Sequence, residues 1–360
     1  MSATFIGIMS GTSADAMDVA AVSFPDGQVK IHAVQSNPID AALRKRITDV
    51  MQGCRDDLDS VAALDRDLGH AFSECATALM AKLDTPPLAI GCHGQTVRHR
   101  PEQGFTVQLG AGAIIATHTG IPTITDFRSS DIALGGQGAP LVPAFHKYIF
   151  GSDKEDRVIV NIGGIANITL LPKTAGVSGF DTGPGNTLMD SWYRKHQQGP
   201  WDNDGAWSRT GAADEALLTR LSSDAFFEQS PPKSTGLEYF NSAWLSKWLS
   251  GDERPEDVQA TLRELTATSI QDAVTKALPT AKTLYLCGGG AKNGALKTSI
   301  QSRLPDVKVE STAALGIDPM WVEACAFAWL ARQHWESKPG SLPSVTGASR
   351  TAVLGSLYLP

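Results

Sequence analysis

The chain has 360 residues, which is long enough for two packed domains with a cleft between them. Its hydrophobic fraction of 42% and charged fraction of 19% are typical of an ordinary globular protein. The formal net charge of −7 leaves no broad basic face for a phosphate backbone, which argues against nucleic acid as a partner.

Signals for export or membrane insertion are missing from the sequence. The first residues, MSATFIGIMSGTSAD, lack a basic segment followed by an apolar run, and no window approaches the roughly 20 apolar residues that a membrane span needs. The cysteines form no CxxC pair, which is typical of reduced thiols; they are Cys54, Cys75, Cys92, Cys287 and Cys325. We therefore expect a soluble, cytoplasmic protein without a membrane partner.

The first part of the chain predicts a strand hairpin followed by helices. Strands are predicted over Thr4–Met9 and Asp18–Phe24, and the turn-rich stretch Ser10–Met17 joins them. Apolar residues at helical spacing predict a helix over 58–83. Leu88–Cys92 is then predicted as a short buried strand that leads into His93.

Near residue 157 the opening pattern recurs, which indicates a duplicated architecture. Strands are predicted over Arg157–Ile162 and Asn167–Leu171 around the turn Gly163–Gly164. A later helix ends at Pro279, and the strand Thr283–Cys287 follows it. Strands that alternate with helices favour an α/β fold.

The last part of the chain starts with a third glycine turn. Gly288–Gly290 follows the strand, and a helix is predicted from about Asn293. Glu336–Arg350 reads as a link rich in Pro, Gly and Ser to a final strand, Ala352–Leu359, which we expect to return to the first domain.

Three small-residue turns follow apolar strands, whereas the common nucleotide motifs are missing. The P-loop pattern GxxxxGK[ST] does not occur, since Gly294 is followed by Ala295 and not by lysine, and no G-x-G-x-x-G fingerprint follows a strand. The turns at 10–13, 163–164 and 288–290 let backbone N–H groups approach a phosphate closely. Each turn by itself would also suit an ordinary connector.

The order of these turns resembles the phosphate-1, phosphate-2 and adenosine motifs of the actin/hexokinase/Hsp70 superfamily. The segment 7–18, GIMSGTSADAMD, further resembles the opening signature of the anhydro-N-acetylmuramic acid kinase family. Other segments agree with that family in its order along the chain: 91–101, 126–131, 135–143, 161–167, 179–186, 231–236 and 342–350. One departure is Ala16, where the family usually has glycine; because alanine tolerates positive φ poorly, we expect a slightly reshaped loop tip.

The resemblance implies a fold and a domain division. It implies an α/β, two-domain actin/hexokinase-like fold, a duplicated ribonuclease H-like fold with an interdomain cleft. Residues 1–128 and 341–360 would form the N-terminal lobe, and residues 129–340 the C-terminal lobe.

The resemblance also implies the reaction. ATP and water convert 1,6-anhydro-N-acetylmuramic acid to N-acetylmuramic acid 6-phosphate and ADP, a step of cell-wall recycling. Since O6 of this sugar is held in the anhydro bridge and carries no proton, the base would deprotonate water that attacks the anomeric carbon. The implied cosubstrate and ion are ATP and Mg²⁺, and the implied assembly is a homodimer.

Asp181 is the predicted catalytic base, because it follows the second hairpin in FDTGPGN and matches the family's catalytic aspartate. From the residues alone, it could equally cap the turn at Gly183–Pro184. The predicted ATP-binding residues are Gly11, Thr12, Ser13, Ala14, Asp15, Ala16, Met17, Asp18, Gly163, Gly164, Asn167, Gly288, Gly289, Gly290 and Asn293. Asp18 is also predicted to hold magnesium through water.

The predicted sugar-binding residues are Ser13, Asp15, His93, Thr96, Arg128 and Glu323. Arg128 suits a carboxylate or phosphate, although it could be a surface residue paired with Asp126 or Asp131. Glu323 could instead interact only with a helix dipole. His93 with His99 could hold a metal, but no third ligand is near in the sequence, so a hydrogen-bonding role is favoured for His93.

Two alternative functions remain open from the sequence. One is a kinase of the same superfamily that acts on a conventional sugar or small acid. The other is a nucleotide-driven binding module, although no separate peptide-binding domain or extended tail is evident. A metal-dependent hydrolase built on His93 and His99 is a more distant alternative.

Overall fold

The computed structural model describes residues 2–11 and 13–360. The chain divides into two compact units, residues 1–149 with 321–360 and residues 150–320. The predicted divisions lie at 128/129 and 340/341 instead. The difference arises because the helices Val142–Phe150, except for its last residue, and Val322–Trp335 fall within the first unit.

The first unit is built on a mixed sheet. Its strands are β1 Thr4–Ser10, β2 Ala16–Ser23, β3 Lys30–Pro38, β4 Ala89–Cys92, β5 Gln95–Arg100, β6 Phe105–Leu109, β7 Thr123–Thr125 and β13 Ser356–Tyr358. The sheet order is β13-β7-β4-β1-β2-β3, in which β4 runs parallel to β1 and β7, while the other neighbours are antiparallel. Strands β5 and β6 form a separate hairpin. The final strand therefore joins the sheet of the first unit, as predicted, although it is shorter than 352–359.

The helices of this unit include α1 Ala41–Met51, α2 Leu58–Met80, α3 Gly112–Thr119, α4 Ser129–Ala133, α5 Val142–Phe150, α12 Val322–Trp335 and α13 Pro343–Thr346. Helix α2 begins where Asp57 accepts a hydrogen bond from the N–H of Ser60 (2.9 Å), and it buries Leu64, Leu68 and Phe72 on one face. That face packs with Ile6, Ile8, Ile90 and other strand residues in one apolar core.

Helix α12 lies on the opposite face of the sheet, and two glycines allow its close approach. Gly7 and Gly91 are register partners on the neighbouring strands β1 and β4. A Cβ on Gly7 would overlap the carbonyl oxygen of Ala324, and a Cβ on Gly91 would overlap that of Phe327. The backbone of α12 therefore rests directly on these strands.

The second unit repeats the same sheet order. Its strands are β8 Arg157–Ile162, β9 Ile165–Leu171, β10 Ser178–Pro184, β11 Thr283–Cys287 and β12 Lys308–Ser311. The order is β10-β9-β8-β11-β12, with an antiparallel meander of β8, β9 and β10 and with β11 parallel to both β8 and β12. Strands β1, β2, β3, β4 and β7 have the same relation in the first unit. The predicted α/β class and the predicted duplication are therefore confirmed.

The helices of this unit include α6 Thr187–His196, α7 Glu215–Ser222, α8 Ala225–Glu228, α9 Ser242–Ser246, α10 Pro255–Ala277 and α11 Gly294–Arg303. Helix α10 begins at Pro255, a residue whose fixed φ suits the first helical turn, and it buries Leu262, Leu265 and Ile270 in the apolar core of this unit. Within the part of the chain that the structure describes, no helix combines the length and the apolarity that crossing a membrane requires.

Because α12 lies so close to the sheet, we expect one added methyl group at this contact to have a large effect on stability. We expect Gly7→Ala and Gly91→Ala each to lower the free energy of unfolding by about 1–3 kcal/mol or more, because α12 has to move away from the sheet. Urea unfolding followed by circular dichroism measures this change. Gly176→Ala is the matched control, because a Cβ there meets no atom within 4 Å, and we expect about 0.5 kcal/mol or less. Equal losses in all three variants would contradict the proposed packing.

Candidate active site

The turn between β1 and β2 contains several of the predicted phosphate-binding residues. Ala14 has a positive φ of 49° and is 2% exposed, and its N–H donates to the carbonyl of Gly11 (3.0 Å). Thr12 lies outside the described residues. Ser13 is exposed at the turn. This compact turn is directly continuous with two central strands of the sheet.

Gln95, a residue that the sequence analysis missed, fixes this turn. Its side chain is fully buried; its Oε1 accepts from the hydroxyl of Ser10 (2.6 Å), and its Nε2 donates to the carbonyl of Gly11 (3.2 Å). Ser10 is itself buried. Buried amide groups need such partners, so this pair ties the end of β1 to the start of β5. The only signal in the sequence was the position of Gln95 two residues after His93.

A positive φ at Ala16 is not observed. Ala16 is the first residue of β2, where it pairs with Pro38, and it does not have a positive φ. The positive φ lies two residues earlier, at Ala14. Ala16 therefore lies in the strand and not at the loop tip, because the strand starts earlier than the predicted Asp18.

Met17 and Asp18 point to opposite faces of β2. The sulfur of Met17 lies 4.0 Å from the Sγ of Cys75 in the core, so its side chain faces away from the turn. Because successive residues of a strand face opposite sides, Asp18 belongs to the face that α12 covers, and it is half-buried there. Asp15 forms an ion pair with Arg44 (2.5 Å), and both side chains are more than half exposed, so this pair adds little stability.

His93 and Arg128 form a hydrogen-bonded pair in the first unit. Nε2 of His93 lies 3.2 Å from Nε and 2.7 Å from Nη2 of Arg128, and Nη1 of Arg128 donates to the carbonyl of Gly138 (2.7 Å). Because guanidinium can only donate, Nε2 accepts and the proton of neutral His93 is on Nδ1. The ring of His93 also contacts Phe327 of α12, with 4.7 Å between ring centroids. Arg128 is thus not the surface residue that the alternative interpretation described.

Burial lowers the pKa values of both members of this pair. Burial, aided by the Arg128 charge, lowers the pKa of His93 to about 3. Burial also lowers the pKa of Arg128 to about 10, against the influence of Glu323 and Asp131. Arg128 stays charged at neutral pH and His93 stays neutral. The result is a fixed cation held by a neutral imidazole.

Glu323 lies in the first turn of α12, close to both Asp18 and Arg128. Burial raises the pKa of Glu323, the negative charge of Asp18 raises it further, and Arg128 opposes the increase. These three predicted site residues come from β2, the start of α4 and α12. The packing of α12 on Gly7 and Gly91 is what brings Glu323 to them.

Two further predictions of the sequence analysis fall on the β5–β6 hairpin. The hydroxyl of Thr96 accepts from Nε2 of Gln108 (3.2 Å). Nδ1 of His99 lies 3.0 Å from the hydroxyl of Thr106. Across residues 2–11 and 13–360, no cluster of three His, Cys, Asp or Glu side chains is arranged to hold a metal ion. The hydrogen-bonding interpretation of His93 therefore agrees with its contacts.

In the second unit, the β8–β9 turn receives the start of α6. The N–H groups of Gly185 and Asn186 donate to the carbonyls of Gly164 (2.9 Å) and Gly163 (2.8 Å). A Cβ on Gly185 would overlap the carbonyl oxygen of Gly163. The turn and the helix start are consequently locked together.

The third glycine turn lies beside the second because β8 and β11 are parallel neighbours. Cys287 pairs with Asn161, and a Cβ on Gly290 would overlap the side chain of Ile162 at the end of β8. Gly288 adopts a φ of 77°, which favours glycine. Asn186, which the sequence analysis did not single out, lies between the turns, since its Nδ2 donates to Ile162 (3.2 Å) and lies nearest to an added Cβ on Gly289.

The glycines of these two turns carry no side chains of their own. Such glycine-rich backbone can approach an anion closely. Asn293, which was predicted for ATP binding, caps α11 by accepting from the N–H of Leu296 (3.0 Å). Its side-chain oxygen therefore already accepts a hydrogen bond within the chain.

Asp181 lies in a row of polar residues across three strands. Asn161 of β8 pairs with Asn167 of β9, which pairs with Asp181 of β10, so the three share one face of the sheet. The register of β10 shifts between Asp181 and Gly183. This irregularity distinguishes Asp181 from an ordinary strand residue.

A distant segment holds the Asp181 carboxylate. Oδ2 of Asp181 accepts from the N–H of Thr235 (2.9 Å), and the N–H of Asp181 donates to the carbonyl of Lys233 (3.1 Å). Burial raises the pKa of Asp181 to about 6, although the Thr235 N–H and the Lys233 charge oppose this. Asp181 is thus mostly ionised at pH 7 but binds a proton more readily than an exposed aspartate. Neither Lys233 nor Thr235 could be predicted as a partner of Asp181, because both are more than 50 residues away along the chain.

Comparison with known proteins adds a consistent result. The model of the family described as anhydro-N-acetylmuramic acid kinase matches residues 3–360. An anhydro-N-acetylmuramic acid kinase from Nitrosomonas europaea is 47% identical over 359 residues, which cover 98% of this chain and 99% of that protein. Another, from Saccharophagus degradans, is 47% identical over 367 residues, with 99% of each chain covered. A ROK family glucokinase from Streptomyces griseus, solved with glucose and AMPPNP, has a TM-score of 0.42 at 11% identity and covers 92% of this chain and 99% of its own.

The contact with Arg128 predicts that His93 does not titrate near neutral pH. We expect its ¹⁵N NMR signals to show one neutral tautomer, with the proton on Nδ1, from pH 5 to pH 8, because burial and Arg128 disfavour a second proton. The variant His93→Gln assigns the signals by removing them. A midpoint between pH 6 and 7 would contradict the buried pairing.

Proposed function

We propose that the chain, which belongs to the anhydro-N-acetylmuramic acid kinase family, uses ATP and water to convert 1,6-anhydro-N-acetylmuramic acid to N-acetylmuramic acid 6-phosphate and ADP. The family match extends from residue 3 to the last residue, and the relatives are matched over nearly their full length. The observation that carries the chemistry is Asp181: its carboxylate accepts from the N–H of Thr235, its own N–H donates to the carbonyl of Lys233, and burial raises its pKa to about 6. The resulting product would return a wall sugar to metabolism.

Asp181 is the proposed general base. In the proposed step, Asp181 takes a proton from water while the water oxygen bonds to the anomeric carbon C1. The bond from C1 to O6 breaks, and O6 bonds to the γ-phosphorus of ATP as ADP leaves. Because the pKa of Asp181 is raised to about 6, it is ionised at neutral pH and still basic enough to accept that proton.

The glycine turns are the proposed binding elements for ATP. The adjacent turns at Gly163–Gly164 and Gly288–Gly290 support contacts with phosphate oxygens because the glycines carry no side chain of their own. The turn from Gly11 to Asp15, held by Gln95, is the proposed third element. The full proposed set stays as predicted: residues 11–18, Gly163, Gly164, Asn167, Gly288, Gly289, Gly290 and Asn293, with the side chain of Met17 directed into the core.

Arg128 is the proposed partner of the sugar's carboxylate. It keeps its charge at neutral pH, and His93 and Gly138 fix the orientation of its guanidinium. Glu323 is close to it and is proposed to contact the sugar or the attacking water. Ser13, Asp15, His93 and Thr96 complete the proposed sugar-binding set.

Magnesium is the proposed ion, and Asp18 is proposed to hold it through water. Magnesium usually keeps several waters and needs only one or two carboxylates besides phosphate oxygens, so a large cluster of acidic side chains is not required. Asp18 fits this role because it is half-buried and adds negative charge close to Glu323, which a cation would offset. The ion would neutralise phosphate charge when bound.

A reducing compartment and a dimeric assembly are also proposed. Cys75, Cys92, Cys287 and Cys325 are buried and form no disulfide, as is common for cytoplasmic proteins. The homodimer rests on the family resemblance.

We expect replacement of the proposed base to impair the attack of water at C1 and the phosphoryl transfer to O6 together. We expect Asp181→Asn to lower kcat by about 10²–10⁴-fold, because an amide cannot accept the water proton. A rapidly quenched reaction in ¹⁸O-water, followed by mass spectrometry, should place the label at C1 of the sugar phosphate for the unmodified protein. The exposed Asp306→Asn serves as the control and should keep full activity. Near-normal turnover of Asp181→Asn would remove Asp181 from this role, and label in the phosphoryl group would exclude attack of water at C1.

The raised pKa of Asp181 predicts the pH dependence. The base form is lost as the pH falls through about 6, so kcat/KM should fall tenfold for each pH unit below that value and level off above it. An ordinary exposed aspartate would keep the plateau down to about pH 4. Rates measured between pH 4.5 and 8.5 distinguish these outcomes, and a level profile down to pH 5 would contradict a raised pKa.

A further inference from the structure

The loop after α4, residues 134–138, carries the carbonyl that orients Arg128. Nη1 of Arg128 donates to the carbonyl of Gly138 (2.7 Å). The loop contains three glycines, and two of them have a positive φ, 82° at Gly135 and 65° at Gly138. Because glycine backbone has much conformational freedom, such a loop keeps one shape only when other groups hold it. The orientation of Arg128 therefore depends on the contacts of this loop.

The carboxylate of Asp131 holds the 134–138 loop from inside the protein. Asp131 is fully buried. Its Oδ2 accepts from the N–H of Gly138 (2.8 Å), and its Oδ1 accepts from the hydroxyl of Thr346 (2.8 Å). A Cβ on Gly136 would overlap Oδ2, so the loop passes very close to this carboxylate. Because a buried carboxylate needs donors, both hydrogen bonds are expected to be strong constraints on the loop.

The second donor comes from the 342–350 segment, to which the proposed function gives no role. Thr346 is buried and lies 215 residues from Asp131 along the chain. Its carbonyl accepts the N–H of Gln137 (2.7 Å), and the N–H of Ser349 donates to the carbonyl of Leu134 (2.9 Å). The 342–350 segment thus braces both ends of the loop that orients Arg128.

The contacts of Arg128 leave a defined part of its guanidinium for a ligand. Among the described residues, His93 accepts from Nε and Nη2, and Gly138 accepts from Nη1. Since a guanidinium has five N–H groups, one N–H on each Nη nitrogen is left. Two such parallel groups match the two oxygens of a carboxylate, and this match depends on the orientation of the guanidinium plane.

We infer that Asp131 and Thr346 are positioning residues for Arg128: they hold the backbone of Gly138 where its carbonyl fixes the guanidinium for a carboxylate ligand. The connection consists of three hydrogen bonds, from the Thr346 hydroxyl to Asp131, from Gly138 to Asp131 and from Arg128 to Gly138. The inference rests on the proposed function only for the identity of the ligand, the sugar's carboxylate.

The test removes the hydroxyl of Thr346 in the full chain. Thr346→Val keeps nearly the same shape but leaves Oδ1 of Asp131 buried without its donor, whereas Thr346→Ser keeps the donor. Gly136→Ala disturbs the same carboxylate from the loop, because its methyl group would overlap Oδ2, and it replaces Thr346→Val if that variant does not fold. Thr351→Val is the matched control, since Thr351 is an exposed threonine five residues farther along. Thermal unfolding checks that each variant is folded.

The first measurement follows Arg128 itself. ¹⁵N NMR of the arginine side chains gives the rate at which the Nε–H of Arg128 exchanges with solvent, and Arg128→Lys assigns the signal by removing it. We expect exchange about tenfold faster in Thr346→Val and Gly136→Ala at the same pH, because a less firmly held guanidinium leaves its partners more often. Thr346→Ser and Thr351→Val should exchange at the rate of the unmodified protein.

The second measurement separates the two substrates. In Thr346→Val, the KM for 1,6-anhydro-N-acetylmuramic acid should rise about fivefold, while kcat and the KM for ATP should stay within about twofold. Thr346→Ser should restore the KM for the sugar. A general structural defect would instead lower kcat or raise both KM values together.

Each possible result decides the inference. An unchanged exchange rate of Arg128 in Thr346→Val and Gly136→Ala overturns it, and so does an equal change in Thr351→Val. A serine variant as impaired as the valine variant, or an equal rise of both KM values, also overturns it. Faster exchange of Arg128 with an unchanged KM for the sugar supports the positioning role and instead contradicts Arg128 as the partner of the sugar's carboxylate.

Discussion

The contact of α12 with the first-unit sheet is the constraint on which the sugar-binding proposal depends. Gly7 and Gly91 lie side by side on β1 and β4, and only glycine leaves room for the backbone of α12 there. This contact places Glu323 near Asp18 and Arg128, and Phe327 against His93. A helix held one side chain farther from the sheet would separate these groups. Packing inside the unit thus determines the electrostatics of its polar residues.

In the second unit, the order of the strands brings the two glycine turns together. Since β8 and β11 are parallel neighbours, the turns that follow them end at the same edge of the sheet. Asn186 then joins these turns at the start of α6. The same sheet order occurs in the first unit, where the turn after β1 and the residues after β4 also meet through Ser10 and Gln95. Duplication of a sheet therefore duplicates a place where polar groups converge.

Much of the fold was readable from the sequence because its signals are local. Arg157–Ile162 and Thr283–Cys287 were predicted with the observed bounds, since each is an apolar run that ends at glycine. The start of β2 was misplaced because pairing of Ala16 with Pro38 depends on β3, which has few apolar signals. The roles of four further residues were missed for a related reason; they are Gln95, Asn186, Lys233 and Thr235. Their roles arise from contacts across the fold, which no spacing along the chain reveals.

The buried ionisable groups differ in what opposes burial, and this difference separates their proposed roles. For His93, burial and the Arg128 charge act together, outweigh the opposing backbone hydrogen bonds of Gly94 and Ser10, and keep the ring neutral over the working pH range. For Asp181, the Thr235 N–H and the Lys233 charge oppose the effect of burial, so its pKa of about 6 lies just below neutral. A fixed neutral group orients a cation well but cannot exchange a proton at neutral pH. A carboxylate that is poised near neutrality can do so, which is why the proposed proton transfer is assigned to Asp181 and the proposed recognition of the sugar's carboxylate to Arg128.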